Sequence, residues 1–300
     1  MDMLTVLDGG LGRELKEIGA PFSQPLWSAQ ALMEAPQYVA MAHQRFINAG
    51  AEIIITNAYA CVPFHLGDKL YQEQGARLAQ LSAEIARTVA DDCKSRVQVA
   101  GCIPPAMGSY RPDLFDAELA KPIIETLYLA QDKFVDLWII ETLASIKEFH
   151  LNHSILSQST KPGYYAFTLE DTLQDEAKLR SGETVKDAAY ELVNCDIQGM
   201  LFNCSVPEVI EQAVKDAKSV FKQAGRDDIE IGAYANNFEV IEQGHEANDA
   251  LQSMRSLTPE EYLNFAKKWK RAGANIIGGC CGIGPKYIQA LSDWKRKGAI

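Results

Sequence analysis

Short apolar runs alternate with long stretches of helical period along the whole chain. The apolar runs fall at 5–7, 53–56, 97–100, 137–140, 164–168, 200–202, 229–232 and 275–277. Helical patterns follow at 35–48, 71–94, 117–134, 145–157, 185–194, 206–223, 259–271 and 285–295. The runs are nearly continuous in apolar character rather than alternating. That is the signature of parallel strands covered on both faces. Eight strand–helix units close into a barrel without leaving sheet edges, so the expected fold is α/β, a single (β/α)8 TIM barrel.

Helix signals agree with these boundaries. Ser205-Val206-Pro207-Glu208 and Thr258-Pro259-Glu260-Glu261 both read as capping boxes, the second with Pro at the first helical position. Gly50, Gly225 and Gly273 are placed to stop helices. The longest stretch without strong period is 236–257, which is acidic and holds Gly244 and His245. It reads either as a lid over a site or as a surface excursion.

No linker or low-complexity tract interrupts the pattern, so residues 1–300 read as one domain. A barrel of about 250 or more residues is ordinary for one domain. Hydrophobic residues make up 47% and charged residues 23%, as in a soluble globular protein. The net charge of -11 speaks against nucleic acid and anionic membrane as partners, since both want a basic patch. The beginning Met1-Asp2-Met3-Leu4 has no basic and apolar leader pattern, and no apolar run is long enough to span a membrane. Seven irregularly spaced cysteines read as thiols or metal ligands rather than a disulfide framework, and the expected location is cytoplasmic.

The candidate chemistry centres on Gly278-Gly279-Cys280-Cys281-Gly282, just past the last strand. Neighbouring side chains of a strand point to opposite faces, so both thiols share one point only if the strand has already ended. The glycines allow such a turn. Cys204 follows Met200-Leu201-Phe202-Asn203 in a similar setting. Three thiolates at strand ends make a zinc site with one open position, which is the catalytic kind. The alternative is that the adjacent cysteines are two small buried residues, or a strained disulfide.

Other polar residues gather at strand ends, where barrels of this kind hold their chemistry. Asp8-Gly9-Gly10 ends strand one, Thr56-Asn57-Ala58-Tyr59 strand two, Glu141-Thr142 strand four and Tyr234-Ala235-Asn236 strand seven. Asp8 and Glu141 accept hydrogen bonds only when ionised and suit a ligand ammonium group, or else they cap a helix or bind loop amides. Cys61 and Cys102 lie near strand ends and read as structural; Cys93 and Cys195 lie on helix tails. His65 and His245 fall in loops at the same end, as a temporary fourth ligand or a base, with nothing at metal-ligand spacing beside them.

These residues in this order resemble the homocysteine S-methyltransferase family, from Leu7-Asp8-Gly9-Gly10 to Gly278-Gly279-Cys280-Cys281-Gly282. The family includes betaine-dependent enzymes and the homocysteine domain of cobalamin-dependent methionine synthase, and its fold is a (β/α)8 barrel. The resemblance implies that Cys204, Cys280 and Cys281 bind zinc and carry the catalysis. It implies that Asp8 and Glu141 hold the amino group of homocysteine, with Tyr59 beside the metal. Gly9 and Asn236 join the expected substrate contacts, and the amides of Gly9 and Gly10 are placed to meet a carboxylate. Helix 206–223, opening beside Cys204, is expected to favour its thiolate form.

Three loops depart from the family pattern: Thr56-Asn57-Ala58-Tyr59-Ala60, Gly101-Cys102 where Gly-Ser is usual, and Tyr234-Ala235-Asn236-Asn237-Phe238. They point to the methyl-donor side. The expected substrates are homocysteine and a small sulfonium, S-methylmethionine ahead of S-adenosylmethionine and betaine. An acidic loop with Glu239, Glu242 and Glu246, and mouth tyrosines Tyr59, Tyr110 and Tyr234, would attract such a cation. The alternatives are methylation of another small thiol or selenol, and a zinc-binding barrel without catalysis. A monomer is expected, since no long extension follows the eighth helix.

Overall fold

The computed structural model describes residues 4–23, 25–173, 175–240 and 253–298. Its strands are β1 (Thr5–Val6), β2 (Ile53–Ile55), β3 (Gln98–Ile103), β4 (Leu137–Leu143), β5 (Gly163–Phe167), β6 (Gly199–Asn203), β7 (Glu230–Tyr234) and β8 (Ile276–Ile277). The order in the eight-stranded sheet is β1-β8-β7-β6-β5-β4-β3-β2, and every pairing is parallel. The two ends of that order also meet. Leu7 bridges Ile53 in parallel, and the Asp8 N–H donates to the Ile53 carbonyl at 3.0 Å. The sheet is therefore a barrel, as expected from eight apolar runs.

Two apolar layers result. Inside the barrel, Leu7, Ile53, Ala100, Ile139, Tyr164, Leu201, Tyr234 and Ile276 pack together. Between strands and helices lies a larger core that includes Phe46, Trp138, Phe149, Phe202 and Trp269. This two-sided burial explains why the strands lack polar alternation.

The predicted long helices appear with small shifts at their ends, for example Asp68–Asp91 for 71–94 and Pro259–Ala272 for 259–271. Short helices at Leu11–Glu17, Ala29–Glu34 and Pro63–Leu66 were not expected. Each is too short for a clear period. Thr258 and Glu261 form the capping box read from the sequence. Ser205 does not cap: Val206 is the N-cap and makes no side-chain cap bond. The Ser205 hydroxyl instead accepts from the Leu169 N–H at 2.8 Å and donates to the Asn203 carbonyl at 3.0 Å. A loop contact across 36 residues has taken the hydroxyl that the local motif claimed.

Only the ends of the 236–257 stretch are described. Phe238 bridges Met254 in antiparallel fashion, and Arg255 forms a two-point ion pair with Glu208 at 2.7 and 2.8 Å. Gly244, His245, Glu242 and Glu246 lie outside the described residues.

One buried base lies on a helix that covers the barrel. His43, in helix Pro36–Asn48, is fully buried and neither ring nitrogen has a partner. Burial lowers its pKa from 6.5 to about 4. The unfolded chain takes up this proton as pH falls through about 6.5, while the native protein resists until about 4. Stability is therefore full above the unfolded value and declines across that window. By pH 5 the loss from this group is about 2 kcal/mol. His43→Leu should flatten the acid limb by that amount between pH 7 and 5 in urea unfolding. An unchanged slope would show that the ring is not held neutral.

Candidate metal and substrate site

The ends of β6 and β8 bring three thiols together. The Sγ atoms of Cys204, Cys280 and Cys281 all lie within 4.8 Å of one another, and those of Cys204 and Cys281 are 3.9 Å apart. All seven cysteines are free thiols. The adjacent pair converges because β8 has ended at Ile277, as the sequence pattern required. The backbone beyond β7 holds the turn: Cys280 N–H donates to the Ala235 carbonyl at 2.9 Å, and Asn237 N–H donates to the Cys281 carbonyl at 2.8 Å. The turn closes from Ile283 N–H to the Cys280 carbonyl at 3.0 Å, with Gly282 at φ +80°.

The first strand's end packs against this turn. A Cβ on Gly10 would sit 2.5 Å from the Cys280 carbonyl oxygen, and one on Gly9 would sit 2.1 Å from that of Ile283. The two glycines therefore let Asp8 approach the thiols. The Gly10 N–H donates to the Ile283 carbonyl at 3.0 Å, so it is not available to a substrate carboxylate as the sequence suggested. The Gly9 N–H donates to no acceptor among the described residues.

One cavity is lined by Cys204, Cys280, Cys281, Asp8, Glu141, Gly9 and Tyr59. Asp8 is buried, and its Oδ2 accepts from the Ile55 N–H at 2.8 Å. Glu141 is also buried, and its Oε2 accepts from the Cys102 thiol at 3.1 Å. Neither carboxylate pairs with a basic side chain among the described residues. Burial, reinforced by the Glu141 charge, pushes the Asp8 pKa well up. Burial raises Glu141 to about 7, with Cys204 adding to the rise. Uncompensated buried carboxylates of this kind are stabilised by a cation. The Cys281 thiol is depressed below its ordinary range by hydrogen bonds from Cys204 and Cys280, with Arg13 adding.

Tyr59 lines the cavity and shares a 2.6 Å hydrogen bond with Ser109. His65 is also in the wall, among Trp27, Tyr59 and Phe64, and is not part of the thiol cluster. Asn236 is fully buried and does not reach the cavity wall. Its Oδ1 accepts from the Phe238 N–H at 3.1 Å, which shapes the turn beyond β7. Tyr234 lies in the barrel interior beside Glu141 rather than at the mouth. Cys61 is buried and burial pushes it up to about 12.

Several wall and support residues were not read from the sequence. Arg13 and Trp27 line the cavity, and so does Phe238, at the end of the loop expected on the methyl-donor side. Cys102, read as structural, touches Glu141. Asn203 forms two hydrogen bonds with Thr142: its Oδ1 accepts from the Thr142 N–H and its Nδ2 donates to the Thr142 hydroxyl, both at 3.0 Å. Thr142 follows Glu141 at φ +59°, in the register shift between Ile140 and Leu143. Among the described residues, the non-glycine positive φ angles are at Trp27, Tyr110, Thr142 and Cys204. Three of the four line the cavity and the fourth adjoins Glu141. Such backbone is costly and persists only where surrounding contacts hold it.

A parallel barrel thus carries three clustered thiols and two buried acids in one cavity at its strand ends. The relatives make this particular. A profile described as homocysteine S-methyltransferase matches residues 5–294, and the chain belongs to that family. It is 30% identical to homocysteine S-methyltransferase 1 of Arabidopsis thaliana, over 97% of this chain and 94% of that one. It is 26% identical to a selenocysteine methyltransferase of Astragalus bisulcatus, over 95% and 90% of the two chains. The crystal structure of the homocysteine methyltransferase MmuM from Escherichia coli, in its metallated form, superposes with a TM-score of 0.75. The identity is 26%, with 98% of this chain and 96% of that chain covered. The chain is thus a methyltransferase of the homocysteine S-methyltransferase family.

The clamp between Asn203 and Thr142 makes a direct prediction. Asn203→Ala strands the Thr142 N–H and hydroxyl in a buried place. The unfolding free energy should fall by about 2–3 kcal/mol, since unpaired buried polar groups cost that much. A change below about 0.5 kcal/mol in denaturant unfolding would mean that the clamp does not hold the β4 end.

Proposed function

We propose that this protein transfers a methyl group from a small sulfonium, S-methylmethionine, to the sulfur of homocysteine, forming methionine. The observation that supports this most is one cavity holding both Cys204, Cys280 and Cys281 and the acids Asp8 and Glu141, which have no basic partner among the described residues. A thiol-activating centre and an ammonium pocket in one cavity match an amino-acid thiol.

The donor set fits zinc: three soft sulfurs within 4.8 Å, on turns that leave one side open to the cavity. Cys204, Cys280 and Cys281 would hold the ion, and when bound it supplies the charge that keeps a substrate thiol deprotonated at neutral pH. The chain's residues do the rest. Asp8 and Glu141 fix the ammonium end. The amide of Gly9 meets the carboxylate, and Arg13 adds positive charge nearby. Trp27, Tyr59 and Phe238 line the cavity, and this aromatic wall would limit water at the reacting sulfur. Held in line, the sulfur and methyl carbon gain most from orientation. A sulfonium leaves as a neutral thioether, so the donor needs no general acid.

Purified protein should carry zinc. Cys281→Ser should lose it together with turnover, because a hydroxyl is a poor ligand for a soft metal. Cys61→Ser should keep it. Each donor is then supplied separately with homocysteine and methionine is quantified: S-methylmethionine should exceed S-adenosylmethionine and betaine. Betaine far ahead of both sulfoniums would overturn the donor. Selenocysteine as the preferred acceptor would overturn the thiol assignment and favour the reading suggested by the Astragalus relative.

Asp8→Ala and Glu141→Ala should keep zinc and raise KM for homocysteine by roughly 10-fold or more, the size expected for a charged hydrogen bond. A thiol without the amino group should be penalised less. Equal penalties on both thiols would make the two carboxylates structural.

A further inference from the structure

Among the described residues, one side-chain oxygen reaches the thiol cluster. The Tyr110 hydroxyl lies 2.9 Å from the Cys204 Sγ. The loop after β3 aims it there: Gly108 is at φ +107° and Tyr110 at φ +68°, while Ser109 between them binds Tyr59. Cys204, its partner, is itself at φ +50°. Two unfavourable backbone conformations thus meet at one hydrogen bond.

The tyrosine is braced from behind. The Arg180 guanidinium lies over its ring, 5.3 Å from the centroid. Arg180 donates to Asp171 Oδ2 at 2.8 Å, and both side chains are buried. The other oxygen, Asp171 Oδ1, accepts from the Val206 N–H at 2.9 Å, two residues past Cys204. Asp171 therefore ties together the start of the segment after Cys204 and the cation stacked on the tyrosine that touches Cys204. The bridges Leu169–Leu179 and Lys178–Thr184 fold the loop after β5 back on itself and bring Asp171 and Arg180 into place.

We infer that Tyr110 is a positioning residue for the metal centre: its hydroxyl donates a hydrogen bond to the Cys204 thiolate, and Arg180 acts on that thiolate through the Tyr110 ring. This rests on the three cysteines being the metal ligands. A thiolate has no proton to give, so the phenol is the donor once a metal is held. Donation withdraws electron density from sulfur and lowers the repulsion among three crowded anions. The stacked guanidinium makes the phenol a stronger donor, because a cation over the ring stabilises negative charge on its oxygen. Partners placed behind metal ligands in this way commonly change metal affinity about 10–100-fold.

The test uses the full chain loaded with cobalt(II), whose thiolate charge-transfer absorption reports sulfur electron density. Tyr110→Phe keeps the ring under Arg180 and removes only the hydroxyl. Its cobalt band should move to longer wavelength, and competition with a chelator should show metal held about tenfold more weakly. Arg180→Lys keeps a positive charge for Asp171 but loses the planar stack. Alone it should shift the band in the same direction by less; in the Tyr110→Phe background it should shift nothing further. A Tyr110→Phe band and affinity equal to the parent's would overturn the inference. So would an Arg180→Lys shift that persists in full without the hydroxyl, because Arg180 would then act by another route. A parent that binds cobalt without any thiolate band fails earlier, at the ligand assignment itself. That failure is distinguishable from the loss of the Tyr110 contribution alone.

Discussion

Negative charge concentrated in a buried space is the constraint around which this molecule is arranged. Three thiols and two carboxylates face one cavity, and the carboxylates have no basic partner among the described residues. Burial in a medium of low polarity holds the protons on such groups, and nearby like charge adds to the effect. The upward shifts at Asp8 and Glu141 are the expected response. A cavity that needs positive charge to ionise fully suits cationic occupants, which is the basis of the proposed binding of a metal ion and an ammonium group. On that proposal selectivity comes from an imbalance of charge as well as from shape.

Holding that imbalance demands rigid supports, and the barrel supplies them from several strands at once. Asp8 is fastened to β2 through Ile55, Cys280 and Cys281 to the chain beyond β7, and the Thr142 turn to Asn203 on β6. Each group is held by the neighbouring strand as well as its own. The left-handed backbone at Cys204, Tyr110 and Thr142 marks where this cross-bracing overrides local preference. Removing one brace should loosen the group on the next strand, which is why the Asn203 clamp matters to Glu141 as well.

The barrel was legible in the sequence because two-sided burial leaves continuous apolar runs, as at 137–140, and helices leave long periods, as at 71–94. Closure placed Asp8 near Cys280 by topology alone, since the first and last strands of a closed barrel must be neighbours. Contacts across the mouth were another matter. Tyr110 meets Cys204 across 94 positions, and Cys102 meets Glu141 across 39. No local period encodes either pair. Ser205 shows the same limit from the other side: a good capping pattern lost its hydroxyl to Leu169. Asn236 was placed correctly at a strand end but turned into the packed interior. Strand-end position alone does not say which way a side chain faces once the strand has stopped.

The proposed chemistry fits this electrostatic setting in a further way. A thiolate attacking a sulfonium joins an anion to a cation and leaves two neutral thioethers. Charge disappears along the reaction, so a water-poor cavity disfavours the separated ions more than the transition state between them. On the proposed reading the carboxylates hold the ammonium, which stays charged throughout, while Trp27, Tyr59 and Phe238 add aromatic surface to the same cavity. An aromatic face attracts a cation without pairing it as tightly as a carboxylate would. It also accepts the neutral thioether that remains. A donor pocket lined with acids would bind the sulfonium more strongly before the reaction than during it, and would slow the step it was meant to assist.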